Sequence, residues 1–204
     1  TAWPRTPCSP PRQRPTLLIV GFEHREDAER FWVGLRERFA KFGLELHPEK
    51  TRLLEFGPSA VESRQRVGLG KPETFNFLGF THICARTRKG RFTVLRQTER
   101  KRLQAKLGEV KAELWRRLHD PVSVVGAWLR SVILGHLRYY GVPMNWRALF
   151  TFCGQVERLW RRVLARRSQR GRTSWARMQR LRERWMPAPR LFHPYPLQRF
   201  GVRT

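Results

Sequence analysis

Basic side chains are the residues of this chain whose number and spacing most directly suggest a chemistry. Lysine and arginine number 42 against 16 aspartates and glutamates, which gives a formal net charge of +26. A folded domain with that imbalance repels itself unless it binds a polyanion, and nucleic acid is the default polyanion. Arginine, whose planar guanidinium matches phosphates and base edges, dominates the last hundred residues. The candidate nucleic-acid-binding residues are Lys101, Arg102, Arg116, Arg117, Arg138, Arg158, Arg161, Arg162, Arg166, Arg167, Arg170 and Arg172.

Tryptophans alternate with these cations at positions 115, 128, 146, 160, 175 and 185. A tryptophan can fill a hydrophobic core or, where it is exposed, stack on an unpaired base. Core burial is the expectation for any single one, because tryptophan is mostly buried in folded proteins. With 40% hydrophobic and 12% aromatic residues, the chain can build a core and is not a disordered polycation.

The cysteines and histidines predict neither a disulfide framework nor a metal site. Cys8, Cys84 and Cys153 lie far apart in the sequence, which fits a reducing cytoplasm. His82 and Cys84 would share one face of a strand, but no further ligand lies nearby, so we expect no structural zinc. No apolar run approaches the roughly 20 residues that cross a bilayer, so we expect no membrane partner.

The elements that position these residues change in character around FNFLGF, residues 75–80. Residues 1–16, rich in proline and arginine, are predicted to be disordered. Apolar runs predict strands over 17–22, 44–46 and 52–56, with an amphipathic helix after the first strand that ends at Gly43 and packs on the sheet. Residues 57–74 are predicted to form a loop. FNFLGF and residues 91–95 are predicted strands, and the glycine between them favours a hairpin.

Helical periodicity takes over downstream of this hairpin. It predicts one helix capped by Thr98, a second from about Ser123 to Tyr140, a third capped by Asn145 and a fourth that begins at Thr173 or Ser174. The tail from residue 187 is rich in proline and cannot be helical, although its aromatic residues suggest docking. The predicted fold class is therefore α+β, with short antiparallel strands and one helix followed by an all-α domain.

Several motifs in this order carry a resemblance to a known family. GLELHPEKT at residues 43–51 and ETFNFLGFTH at 73–82 resemble the end of the palm of group II intron-encoded reverse transcriptases. WLRSVILGHLRYYGVPMN at 128–145, RLWRRVLARRSQR at 158–170 and PRLFHPYPLQRF at 189–200 resemble the thumb and maturase (X) domain of these proteins. The resemblance covers residues 19–200 and implies four segments: an unrelated start (1–16), a palm remnant (17–97), a thumb and maturase domain (98–186) and a tail (187–204).

The resemblance also implies roles for individual residues. Lys50 would lie near the phosphates of the incoming nucleotide as a general acid, although it also reads as an exposed lysine in a turn. Phe77, Leu78, Gly79 and Phe80 would form the primer grip, and they can equally be part of a buried strand. In the intact family these residues act in an RNA-directed DNA polymerase that requires Mg²⁺.

One departure from the family pattern limits what this chain can do. The Tyr-Ala-Asp-Asp hairpin expected before the first strand is replaced by RPTL at residues 14–17, and no carboxylate precedes Glu23. The aspartates that hold the two metal ions are therefore absent, so we expect no cofactor and no polymerase activity from this chain alone.

Three functions remain open on these grounds. The favoured one is a maturase-type module that binds structured group II intron RNA and assists its splicing. The second is a working polymerase whose carboxylates come from another chain. The third is a general RNA- or DNA-binding protein without a splicing role, for which the charge alone would suffice.

Overall fold

The computed structural model describes residues 18–48, 51–167 and 174–195. Within these ranges the chain is mixed α+β, as predicted, with six helices and one three-stranded antiparallel sheet. The chain divides into two units, Thr1–Leu54 and Glu55–Thr204. In chain order the elements are α1 (Arg25–Lys41), α2 (Pro58–Arg66), β1 (Phe75–Phe77), β2 (Phe80–Arg86), β3 (Phe92–Thr98), α3 (Arg100–Arg116), α4 (Val122–Tyr140), α5 (Trp146–Arg166) and α6 (Trp175–Trp185).

The first unit contains α1, which forms where the apolar residues recur at three- and four-residue steps. Its C-terminus is a Schellman motif, in which the Gly43 N–H donates to the Ala40 carbonyl at 3.1 Å and the Leu44 N–H to the Phe39 carbonyl at 2.9 Å. Gly43 has a φ of +65°, which glycine adopts without a steric penalty. The predicted C-terminal glycine of this helix is confirmed.

The three strands predicted upstream of FNFLGF were wrong. Residues 18–22, 44–46 and 52–56 form no strand in the described part of the chain, so the sheet on which α1 was predicted to pack is missing there. A strand needs a hydrogen-bonding neighbour as well as an apolar pattern. Leu18 and Ile19 are instead 61% and 47% exposed.

The helix α2 forms inside residues 57–74, the segment that was predicted to be a loop. Pro58 occupies the first turn, where a proline is already preorganised for a helix. Gly68, at φ +67°, ends the helix, and the Leu69 N–H donates to the Arg64 carbonyl at 2.9 Å. Start and stop signals therefore flank a segment whose polar composition suggested a loop.

The sheet has the strand order β1-β2-β3. The hairpin of β2 and β3 confirms the predicted one, whereas FNFLGF, predicted as a single strand, is divided into β1 and β2 by a turn at Leu78 and Gly79. Phe77 pairs with Phe80 across a two-residue turn, and Arg86 pairs with Phe92 across a five-residue connection. Gly90, in that second connection, has a φ of +76°. β3 begins one residue later than predicted and continues to Thr98.

The hydrophobic core lies among α3, α4, α5 and α6, where the four predicted apolar stripes meet. Its large side chains are fully enclosed, and the half-buried residues Leu103, Leu107 and Trp128 pack against them. Each stripe has helical spacing, so one face of each helix packs in the core and the opposite face is exposed to solvent. The largest fully buried apolar side chains are Trp160, Phe152, Leu114, Leu129, Ile133, Leu137, Leu149, Met178, Val110 and Val156.

One predicted helix cap lies at a different residue, and a second lies at the predicted residue but makes no capping hydrogen bond. The N-cap residue of α3 is Glu99, not Thr98. Asn145 does occupy the N-cap position of α5, but its side chain makes no capping hydrogen bond. It bonds instead to Thr98 and to the carbonyl of Tyr140. A polar residue that precedes a helix predicts a cap, yet a buried partner from another segment can take its hydrogen bonds.

The described part of the tail runs along the end of α4. The Phe192 N–H donates to the Gly141 carbonyl at 2.8 Å, and His193 Nε2 lies 2.7 Å from the Arg138 carbonyl oxygen. Phe192 also packs against the core, so the predicted docking is confirmed for Phe192 and His193. The domain boundary predicted between residues 97 and 98 lies inside the second unit, at the end of β3.

Candidate nucleic-acid interface

The predicted primer grip forms the tight turn between β1 and β2. Leu78 and Gly79 occupy the two turn positions with φ values of +49° and +78°. Positive φ at both positions is the signature of a type I′ turn, whose twist matches that of the flanking strands. Leu78 is 60% exposed at the tip, whereas Phe77 and Phe80 are half-buried. Of the four residues, Leu78 is thus the one whose side chain solvent reaches most.

This turn is fixed to the C-terminal end of α4. The Tyr139 hydroxyl donates to the Leu78 carbonyl at 2.9 Å, and the Glu99 N–H donates to the Gly79 carbonyl at 2.9 Å. The Phe80 ring meets the ring of Tyr140 edge-on, with centroids 5.2 Å apart. Burial raises the pKa of Tyr140, which keeps its hydroxyl neutral. Both carbonyls of the turn are therefore hydrogen-bonded to other parts of the second unit.

The predicted cations are spread over α3, α4 and α5. Arg117, Arg161 and Arg167 are half-buried. Lys50, Arg170 and Arg172 lie outside the described residues, as do Cys8 and residues 1–16. The exposed candidate cations are Lys101, Arg102, Arg116, Arg138, Arg158, Arg162 and Arg166.

Carboxylates neutralise some of these cations. Glu113 contacts Arg116 at 2.6 Å and Arg117 at 2.5 Å, and the hydrogen bonds from Arg116 and then Arg117 lower the pKa of Glu113. Arg102 lies 3.9 Å from Glu99. Because a nearby carboxylate offsets part of the charge of each guanidinium, these three arginines are weaker candidates for phosphate binding than the sequence suggested.

Three exposed arginines form a stripe along the C-terminal half of α5, and we call Arg158, Arg162 and Arg166 the arginine stripe. Residues four apart lie on one face of a helix, so the three guanidinium groups can follow one another along a phosphate backbone. No carboxylate forms an ion pair with any of them within the described ranges. The stripe is therefore an uncompensated line of positive charge.

The arginine stripe ends where α3 and α5 bring their C-termini together. The guanidinium of Arg166 lies 6.0 Å from the ring of Trp115, and Arg167 Nη2 donates to the carbonyl of Asp120. The C-terminal ends of helices favour cations because unpaired carbonyls point outward there. The helix packing thus concentrates positive charge at this end of the second unit.

The tryptophans divide into core and surface residues. Trp160 is completely buried, and Trp128 and Trp185 pack against the core. The expectation of core burial is therefore confirmed for Trp160, whereas Trp128 and Trp185 are half-buried at the edge of the core. The exposed ones are Trp115 (42%), Trp146 (44%) and Trp175 (67%).

A basic loop between β2 and β3 was missing from the sequence-based candidates. Its four exposed cations are Arg86, Arg88, Lys89 and Arg91, and we call them the basic loop. The Thr87 N–H donates to the Arg91 carbonyl at 2.8 Å, which holds the turn closed. The signal in the sequence is the density of charge, with four cations in the six residues 86–91.

The face shared by His82 and Cys84 is built for packing. The His82 ring stacks on Phe75 with centroids 4.8 Å apart, and burial, together with the charge of Arg96, lowers the pKa of His82. Cys84 is buried. Throughout residues 18–48, 51–167 and 174–195, no three or more His, Cys, Asp or Glu side chains gather into a group that could hold a metal ion. None of the described helices is long and apolar enough to cross a bilayer.

Comparisons with known proteins add no family. No protein-family model, no curated protein and no solved structure matches this chain.

Proposed function

We propose that this chain is the C-terminal portion of a group II intron reverse transcriptase/maturase and that it binds structured intron RNA to assist splicing. The motifs at residues 43–51, 73–82, 128–145, 158–170 and 189–200 support the family assignment. In this proposal the RNA performs the splicing chemistry, and the protein stabilises the active RNA fold. A cytoplasmic location, which the scattered cysteines favour, belongs to the same proposal.

The observation that carries RNA binding is the arginine stripe. Its three guanidinium groups are exposed, equally spaced and without a carboxylate partner in the described chain. The half-buried Arg161 lies on the same helix, and the basic loop adds a second set of exposed cations on the sheet. Each phosphate that a cation neutralises releases a bound counterion, so such a surface gains affinity at low salt.

The test is the salt dependence of binding to structured RNA. Replacing Arg158, Arg162 and Arg166 by alanine should lower the slope of log K against log salt by about 2 to 3, since each lost phosphate contact removes about 0.7 to 0.9. The matched control replaces three exposed cations of α1, Arg36, Arg38 and Lys41, which removes the same charge. An equal loss of slope in both variants would show that net charge, and not the stripe, determines binding.

The alternative is a general RNA- or DNA-binding protein without a splicing role, which the net charge of +26 also favours. The two functions differ in selectivity at a fixed salt concentration. A maturase module should bind group II intron RNA more tightly than an unrelated structured RNA of equal length, and a general binder should not. Competition between the two RNAs for the same protein decides between them.

A further inference from the structure

We propose that Trp175, backed by Arg161, is a stacking site for one unpaired base, so that the chain binds RNA with a bulged nucleotide more tightly than a perfect duplex. This inference rests on the proposed RNA binding and names the RNA feature that the surface selects. It combines an exposed indole, a guanidinium that already lies on one of its faces and nearby phosphate-binding arginines.

The backbone that carries the exposed indole of Trp175 is anchored at the start of α6. It is the first residue of α6, whose N-cap Ser174 accepts a hydrogen bond from the Arg177 N–H at 3.3 Å. Three residues further on, Met178 is completely buried in the core and anchors the first turn. A base that stacks on this ring would therefore order little new structure, which favours binding.

Arg161 covers one face of the indole and leaves the other to solvent. Its guanidinium carbon lies 3.8 Å from the ring centroid, which is the geometry of a cation–π stack. Trp175 nevertheless remains 67% exposed, the highest value of the exposed tryptophans. A base can therefore stack on the open face, in the order guanidinium, indole, base.

The arginines around the Trp175 ring can bind the phosphate of the nucleotide whose base stacks on the indole. The N–H groups of a guanidinium lie in its plane, so stacking on the indole leaves them able to donate to a phosphate. Arg158 is one turn away from Arg161 on α5 and Arg162 is its neighbour, and both are exposed. The acidic residue of α5, Glu157, lies 3.9 Å from Arg182 of α6, which offsets its charge.

The other exposed tryptophans lack part of this arrangement. Trp146 packs edge-on against the exposed Phe150, with centroids 4.7 Å apart, and has no guanidinium over its ring in the described chain. The guanidinium of Arg166 lies 6.0 Å from Trp115, too far for close stacking.

A fully paired duplex offers no free base face, whereas a bulge does, so the site should discriminate between them.

The experiment compares two RNA duplexes of equal length, one of which carries a single unpaired 2-aminopurine that reports stacking by its fluorescence. The full chain should prefer the bulged RNA. Trp175→Ala should reduce affinity for it by about 5- to 100-fold, the usual range for losing one base stack, and leave duplex binding unchanged. Trp175→Phe should keep most of the preference. Trp146→Ala is the matched control, because Trp146 lies about 22 Å from Arg161 along α5.

Each outcome has one meaning. Equal binding of the two RNAs by the unaltered chain, or an unchanged preference in Trp175→Ala, would overturn the stacking site while the proposed RNA binding stands. An equal loss in Trp175→Phe and Trp175→Ala would also overturn it, since an aromatic face would then not matter. Failure to bind either RNA would instead reject the proposed function. If Trp175→Ala does not fold by circular dichroism, the phenylalanine variant and the 2-aminopurine signal decide.

Discussion

The carboxamide of Asn145 joins the start of α5 to Thr98 at the end of β3 through both of its polar atoms. Oδ1 accepts the Thr98 N–H at 2.9 Å, and Nδ2 donates to Thr98 Oγ1 and to the Tyr140 carbonyl, each at 2.8 Å. Asn145 is 1% exposed and Thr98 8%. One side chain at the start of α5 therefore holds both the end of β3, which is 47 residues away in sequence, and the nearby end of α4.

Replacing Asn145 by alanine should lower the free energy of unfolding by about 2 to 3 kcal/mol. The substitution leaves the buried N–H of Thr98 without an acceptor, and removing the partner of a buried donor costs about 1 to 3 kcal/mol. Urea unfolding followed by circular dichroism measures the change. Gln104→Ala, on the exposed face of α3, is the control and should stay within about 0.5 kcal/mol. A similar small change for Asn145→Ala would contradict the role of this link.

Gly79 and Gly90 provide a matched pair for testing how the first turn is held. Both have a positive φ, +78° and +76°, but an added Cβ would lie 2.8 Å from the Tyr140 hydroxyl at Gly79 and would meet nothing within 4 Å at Gly90. Gly90→Ala should therefore cost about 1 to 2 kcal/mol from backbone strain alone. Gly79→Ala should cost at least about 1 kcal/mol more.

Tyr140→Phe removes the oxygen that the added methyl group would meet, so it should restore part of the stability of Gly79→Ala. The same change should not help Gly90→Ala. A double-mutant cycle from chemical denaturation measures this coupling. Complete additivity between positions 79 and 140 would show that the turn can move away from α4.

A chain that begins at residue 98 should be less stable than one that begins at residue 55. It would lose the hydrogen bonds from Glu99 to Gly79 and from Tyr139 to Leu78, and the ring of Phe80 against Tyr140. Two hydrogen bonds of about 1 kcal/mol each correspond to a decrease in Tm of about 10 °C for a domain of this size. Equal melting temperatures would show that the sheet contributes nothing to the helices.

Helices in which apolar residues recur at helical spacing over several turns were predictable from the sequence, because one side of each helix packs in the core. The stripe through Leu103 and Leu114 and the one through Phe152 and Trp160 both became core faces. The hairpin of β2 and β3 was predictable because its strands are adjacent in sequence and Gly90 marks the turn, whereas the turn at Leu78 and Gly79 that divides FNFLGF was not predicted. The strand at 18–22 failed because its pairing partner had to come from elsewhere, and local pattern carries no information about that partner.

The candidate site was predictable in composition but not in detail. The sequence identifies arginines, but it does not show that Glu113 binds Arg116 and Arg117 while Arg158 and Arg162 have no carboxylate partner in the described chain. That difference depends on which side chains lie three or four residues apart on the same face and on which helices pack together. Ion pairing and stacking are properties of the packed surface, so they appear only once the helices are in place.

The buried imidazole of His136 should make the protein less stable as the pH falls below neutrality. Its ring lies against Phe152, with centroids 3.7 Å apart, and its Nε2 has no hydrogen-bond partner among the described residues. Burial is the main reason that the pKa of His136 falls from 6.5 to about 4, and the charge of Lys106 adds to it. The folded state therefore keeps this imidazole neutral at a pH where the unfolded chain binds a proton.

A lowered folded-state pKa means that the unfolded state gains protons first as the pH decreases. The contribution to stability is complete above the unfolded pKa of 6.5 and is lost progressively down to about pH 4. Between about pH 8 and pH 5 the free energy of unfolding should fall by about 2 kcal/mol from this residue. His136→Leu should remove that part of the pH dependence, and the difference between the two chains separates it from the titration of His82, whose pKa is also lowered. Parallel stability profiles for the two chains over this pH range would show that His136 becomes protonated without unfolding.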